Sequence, residues 1–184
     1  QGFYNFYISV NYLKDQIIEY FSDGSNYGIK IEYLIEDIEL GTAGSLKLIP
    51  DDIKHPIIVT NGDLLTKLDF SKMLEMHTNR KCEATLGVCE HSITIPYGVV
   101  RGKDKLLFSF DEKPKINFLI NAGLYIINPE MLYLLQSNKY TDMPFFLERI
   151  KENKFEVSIY NINEYWIDTG NHENFEKARK TWVP

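Results

Sequence analysis

Two cysteines in 184 residues are too few for a disulfide framework. Cys82 and Cys89 lie an odd number of positions apart in one strand-like stretch, so their side chains point to opposite faces and an intrachain bridge is not expected. Their spacing fits no metal motif, and unpaired thiols fit a reducing cytoplasm. Lys and Arg form no basic stripe, and the formal charge is −6. Generic binding to nucleic acid or to an anionic membrane surface is therefore not expected, which leaves room only for a local phosphate site. No apolar run approaches the roughly 20 residues of a membrane-spanning helix. The histidines at 55, 77, 91 and 172 are scattered, none one helical turn from another, and most read as solvated surface residues. Repeats, low-complexity segments and internal linkers are also missing, and the length fits one domain with a substantial core. No signal-peptide pattern is visible, although a chain starting at Gln1 without methionine leaves room for a removed leader.

What is present centres on Pro56-Ile57-Ile58-Val59-Thr60-Asn61-Gly62-Asp63. An apolar, β-branched run of this kind reads as a strand buried on both faces, as in a parallel sheet. Ligands of open parallel sheets bind beyond the carboxyl ends of the strands, where Asp63 stands. A carboxylate there suits Mg²⁺, which takes one or two carboxylates plus substrate phosphates. The competing reading is plain turn chemistry, which Asn-Gly-Asp also supports.

Along the chain, strands are expected at Asn5–Val10, Ile29–Ile35, Pro56–Thr60, Cys82–Cys89, Ala122–Ile127 and Phe155–Tyr160. Gly98–Val100 and Leu106–Phe110 flank a hairpin turn at Gly102-Lys103-Asp104. Helices are expected at Tyr12–Phe21, from a Thr42 cap to Leu48, from an Asp69 or Ser71 cap to about His77, and from Pro129 to Leu135. Two more are expected at Met143–Lys151 and from an Asn171 cap to Lys180. Strands alternating with helices indicate an α/β domain with a mostly parallel, mixed sheet.

Further segments are unusual for core-building sequence. Tyr97-Gly98-Val99-Val100 sets an aromatic beside a glycine, where a backbone can approach a ligand. Glu112-Lys113-Pro114 puts opposite charges at a strand end, and Asn121-Ala122-Gly123 opens a strand with an amide and two small residues. Trp166-Ile167-Asp168-Thr169-Gly170 carries a second isolated aspartate just before a helix. Taken in order with Glu39-Leu40-Gly41-Thr42-Ala43-Gly44, Asn61-Gly62-Asp63 and Asn121-Ala122-Gly123-Leu124-Tyr125, these segments resemble the sugar-1-phosphate nucleotidyltransferases, or nucleotide-sugar pyrophosphorylases. The resemblance runs from Gln1 to about Ala178.

The resemblance implies a Rossmann-like nucleotidyltransferase domain in which a hexose or amino-sugar 1-phosphate attacks a nucleoside triphosphate and pyrophosphate leaves. It implies Mg²⁺ on Asp63 and Asp168, and catalytic roles for those aspartates and for Lys113. Leu40, Gly41 and Thr42 would lie against the nucleotide base. Gly98, Glu112, Lys113 and Asn121 would bind the sugar phosphate, with Gly123 lining the same pocket and Tyr97 and Tyr125 shaping it. The Leu-Gly-Thr-Ala-Gly pattern is most similar to the guanylyltransferase branch that uses GTP and makes GDP-mannose. The texture around Asn5–Tyr12 resembles bacterial members with N-terminal CBS domains that serve surface glycans. A cytoplasmic homo-oligomer is expected.

One departure stands out. The family opens with a strand and a Gly-rich loop that cradles triphosphate, and neither is visible from Gln1 onward. The expectation is a truncated chain, inactive alone, whose missing strand lay between Asn5–Val10 and Pro56–Thr60. Two other readings stay open at this point. One is a non-catalytic regulatory or interaction domain of the same fold. The other is a metal-dependent glycosyltransferase, against which stands the absence of a first aspartate in Asn61-Gly62-Asp63.

Overall fold

The computed structural model describes residues 1–183. Its centre is a four-stranded mixed sheet of β3 (Ile57–Thr60), β8 (Lys115–Ile127), β5 (Ala84–Thr94) and β9 (Val157–Asn161), in that spatial order. β8 runs antiparallel to both β3 and β5, and β5 runs parallel to β9. A separate parallel pair joins β1 (Asn5–Val10) to β2 (Lys30–Ile35). Two antiparallel pairs complete the set: β4 (Leu64–Thr66) with β10 (Trp166–Asp168), and β6 (Val99–Lys103) with β7 (Leu106–Asp111). The α/β class and the mixed sheet are as expected. The parallel share is smaller than expected, because the sequence signal for β3 was a matter of covering, not of strand direction.

That distinction shows in the packing of β3. Ile57 and Val59 pack on a core built by Tyr125, Ile127, Met143, Phe146 and Ile150. Ile58 points the other way, into a core of Leu68, Met73, Leu124 and Ile126. Both faces of the strand are apolar because helices lie on both sides of the sheet, α4 (Met143–Glu152) on one and α3 (Phe70–Arg80) on the other. An antiparallel strand so covered carries the same unbroken apolar run as a parallel one.

Local chemistry sets the helix ends. The Asp69 carboxylate accepts from the backbone N–H groups of Ser71 and Lys72 and so starts α3. Asn171 accepts from Asn174 N–H at the start of α5 (His172–Thr181). Thr42 does not cap its own short helix, α2 (Gly41–Gly44). Its hydroxyl instead accepts from the Met143 N–H, at 2.8 Å, at the first turn of α4. The Pro129–Leu134 segment forms a 3-10 turn. The tight turn between β6 and β7 falls at Asp104-Lys105, both with φ > 0, rather than one or two residues earlier as the glycine suggested.

Two departures have clear causes. β8 begins at Lys115, well before the expected Ala122. Its first half is exposed, so its side chains carry no core signal. His77 is buried, at 2% exposure, not solvated. It lies between Thr85 Oγ1 (2.8 Å, on Nδ1) and Asn128 Oδ1 (3.0 Å, on Nε2). Because that amide oxygen accepts, Nε2 carries the proton. Cys82, just outside β5, joins the same network, and both thiols are free.

β1 is paired only with β2, and β3 only with β8, among the described residues. The two sheets have not closed on each other.

Candidate active site

Asn61-Gly62-Asp63 links β3 to β4, and Thr169-Gly170 follows β10 on the way to α5. The β4–β10 ladder brings these two segments side by side, with Leu64 opposite Asp168. Thr169 fixes the pair: its N–H and its hydroxyl both donate to the Asp63 carbonyl, at 2.8 and 2.7 Å. Gly170 N–H donates to Asp168 Oδ1 at 2.7 Å. The two carboxylates converge on the bare side of Gly170. A Cβ there would lie 2.9 Å from Asp63 Oδ2 and 3.0 Å from Asp168 Oδ1. The glycine thus keeps open a small space with two oxygens on its rim.

That space suits a hard cation. Its donors are carboxylate oxygens, and no group of three or more His, Cys, Asp or Glu able to hold an ion occurs among the described residues. An ion at this point would draw its other ligands from water and substrate phosphate, which is how Mg²⁺ is usually held. Asp63 is exposed and Asp168 half-buried, so both are reachable from solvent.

Next to this pair lies an irregularity in β8. Leu86 faces Tyr125, but Val88 faces Asn121, so β8 carries extra residues at that point. Gly123 absorbs the bulge with φ +69°, and a Cβ there would meet Asn61 Nδ2 at 2.8 Å. The Asn61 N–H in turn donates to the Gly123 carbonyl. Asn121 Oδ1 accepts from Gly123 N–H, and Asn121 Nδ2 donates to the Tyr125 hydroxyl at 2.8 Å. Burial pushes the Tyr125 phenol above its ordinary value, and the Asn121 hydrogen bond partly offsets that. Trp166 Nε1 donates to the Ala122 carbonyl at 2.9 Å and pins β10 to the bulge. Asp63, Asp168, Asn121, Gly123 and Tyr125 therefore belong to one connected cluster.

The other expected residues lie apart from it. Gly98 and Glu112 meet: a Cβ on Gly98 would lie 2.9 Å from Glu112 Oε2. With Tyr97 and Lys113 they sit exposed at the end of the β5–β8 ribbon. From Lys115 to Asn121 the strand is extended, about 20 Å at ~3.3 Å per residue. The single pocket expected from Gly98, Glu112, Lys113, Asn121 and Gly123 is thus resolved into two groups. Leu40 is buried, with its N–H given to Glu36 and its carbonyl accepting from Thr141. Gly41 has φ +74°, and a Cβ there would meet the Thr141 carbonyl at 2.8 Å. The 40–44 stretch is thereby clamped to residues 141–143. Sequence reasoning did not single out Thr169, Gly170 or Asn61 for a role, although each lies inside a quoted segment.

With this geometry in hand, comparison with known proteins is decisive at the level of family. The nucleotidyl transferase family profile matches residues 1–182. The chain belongs to the nucleotidyl transferase family. Within it, this nucleotidyl transferase is 33% identical over 179 residues to the D-glycero-alpha-D-manno-heptose 1-phosphate guanylyltransferase of Campylobacter jejuni, covering 95% of this chain and 77% of that one. It is 33% identical over 162 residues to a mannose-1-phosphate guanyltransferase of Pichia angusta, covering 81% and 43%. The chain spans about half the length of the mannose-1-phosphate guanyltransferases it matches. Among solved structures, HddC from Yersinia pseudotuberculosis superposes with a TM-score of 0.75 at 24% identity, covering 99% of this chain and 80% of that one. That likeness supports the nucleotidyltransferase fold.

Proposed function

We propose that this nucleotidyl transferase catalyses guanylyl transfer from GTP to a hexose, heptose or amino-sugar 1-phosphate, giving a GDP-sugar and pyrophosphate. The observation that carries the reading is the convergence of Asp63 and Asp168 on Gly170 in a chain of this family. The guanylyltransferase relatives support the choice of GTP.

In the reaction, a non-bridging oxygen of the sugar phosphate forms a bond to the α-phosphorus. The bond from that phosphorus to the β-bridging oxygen breaks, and pyrophosphate takes the electron pair. The attacking phosphate has a second pKa of about 6 and is ionised at neutral pH, so no strong base is needed. What the protein supplies is alignment and charge. Asp63 and Asp168 would hold Mg²⁺, which when bound neutralises phosphate charge. Asn121, held by Gly123 and Tyr125, orients the sugar. Glu112 accepts from sugar hydroxyls and Lys113 meets the phosphate, assignments that require the exposed arm to bend over the cleft. Gly98 and Tyr97 flank Glu112 in that movement. Leu40, Gly41 and Thr42 form the wall against the base. A GTP-using enzyme with two free thiols fits the cytoplasm, and supply of surface-glycan precursors is the role we assign.

Pyrophosphate release from GTP tests the reading, with mannose 1-phosphate and heptose 1-phosphate as separate acceptors. The assay uses the protein as it occurs in the cell. Acceptor-dependent release that collapses in Asp63→Asn and Asp168→Asn supports it. Release unaffected by both substitutions contradicts it.

A further inference from the structure

Asp142 is a carboxylate without a part in the proposed reaction, yet it stands between two groups that have one. It occupies the N-cap position of α4, where an aspartate ordinarily accepts from the first N–H groups of its own helix. Here the side chain makes no such bond, and Pro144, in that first turn, has no N–H to offer. The carboxylate turns instead to the 40–44 stretch. Its Oδ1 accepts from the Thr42 N–H at 3.3 Å and from the Thr42 hydroxyl at 3.4 Å. A Cβ on Gly41 would stand 3.0 Å from the same oxygen. Oδ2 accepts from the Tyr140 hydroxyl at 3.1 Å. Tyr125, the partner of Asn121, packs in one core with Ala43 and Met143, the neighbours of Thr42 and Asp142. Burial is the main reason its phenol stands high, the Asn121 hydrogen bond offsets that, and the negative charge of Asp142 raises it further. Asp142 thus joins the wall at Leu40–Thr42 to the Asn121–Tyr125 pair.

The charge of Asp142 is poorly satisfied. Among the described residues it forms no ion pair. A hydroxyl ordinarily approaches a carboxylate to about 2.5–2.7 Å, and the two hydroxyls on Asp142 stand at 3.4 and 3.1 Å. A carboxylate offers about four lone-pair sites, so a short, strong donor still has room, and the side chain is only half-buried. An anionic phosphate is repelled here, which makes the missing partner a neutral donor. We propose, resting on the guanylyltransferase reading above, that Asp142 accepts a hydrogen bond from a ring hydroxyl of the sugar 1-phosphate and so helps determine which sugar is used. The guanine N–H groups are the other neutral donors in the reaction. The nearness of Tyr125 favours the sugar, because Asn121 and Tyr125 are the pair that orients it. One hydrogen bond to a charged acceptor contributes about tenfold to a hundredfold in binding.

The test measures kcat/KM for mannose 1-phosphate and for each of its monodeoxy analogues, in the protein as it occurs in the cell and in its Asp142→Ala variant. In the unmodified protein, removal of one particular hydroxyl lowers kcat/KM by about tenfold or more. Asp142→Ala lowers it by a similar factor for the intact sugar and no further for that one analogue, since the bond is already absent. The loss falls on KM for the sugar phosphate and leaves KM for GTP in place. Asp142→Asn, which keeps a neutral acceptor, restores part of it, and carries the comparison should the alanine variant misfold. A merely structural role slows every analogue by the same factor, and that result overturns the proposal. So does a preference for GTP over ITP, which lacks the guanine amino group, that shrinks in the variant, because it marks the base as the partner. Absence of pyrophosphate release from the unmodified protein counts against the guanylyltransferase reading itself. Calorimetric titration with mannose 1-phosphate then decides for Asp142: weaker binding in Asp142→Asn supports the proposal, and equal binding or none overturns it.

Discussion

Gly123→Ala isolates the physical reason for the bulge beside the two aspartates. At φ +69° an L-residue costs about 1–2 kcal/mol more than glycine. The added methyl would stand 2.8 Å from Asn61 Nδ2 and 3.0 Å from Leu64 Cδ1, and making room in such packing costs about 1–3 kcal/mol. The two contributions together give about 2–5 kcal/mol of destabilisation. With a urea slope of about 2 kcal/mol per molar for a chain this size, the unfolding midpoint falls by about 1–2.5 M. Gly62→Ala is the control: a Cβ there meets nothing within 4 Å, and the cost is within about 0.5 kcal/mol. Equilibrium urea unfolding followed by tryptophan fluorescence reads both. Equal midpoints for Gly123→Ala and the unmodified protein would refute the account of this bulge.

Other expectations are smaller in scope. Asp69→Ala removes the cap of α3 and lowers stability by about 1 kcal/mol, with Asp69→Asn largely restoring it in the same urea assay. Gly170→Ala puts a methyl between Asp63 and Asp168 without meeting other backbone, so the urea midpoint stays put while Mn²⁺ affinity drops by on the order of tenfold. The Tyr125 phenol is held above its ordinary value of 10.0 by burial. The unfolded chain therefore gives up that proton first, and stability is whole below about pH 10 and declines as pH rises past it. Tyr125→Phe should flatten that alkaline decline, measured as urea midpoints from neutral pH upward, and an unchanged slope would count against the assignment.

Much of this fold is written locally in the chain. Asp69 and Asn171 announce their helices because a short acceptor side chain satisfies N–H groups two or three residues on. The strands that carry core, β1, β2 and β3, announce themselves by apolar content. Strand direction is not local, and β3 shows why: its residues alternate between two cores, and the same composition serves either direction. β4 and β10 are three residues each, too short for any period to register, yet their pairing is what sets Asp63 beside Asp168. The outer half of β8 is exposed and reads as loop. His77 looks like a surface residue until Thr85 and Asn128, from other elements, close around it. At the site, the aspartates were legible as isolated carboxylates at strand ends. The separation of Glu112 and Lys113 from Asn121 was not, because it depends on how far an exposed ribbon extends.

The central claim is that Asp63 and Asp168 share one divalent cation. Mn²⁺ binding by electron paramagnetic resonance, on the unmodified chain and on Asp63→Asn and Asp168→Asn, tests it without relying on turnover. The account predicts one ion per chain, lost to the same degree in either variant, with circular dichroism unchanged. An ion retained at full affinity in either variant, or two independent ions in the unmodified chain, would contradict it.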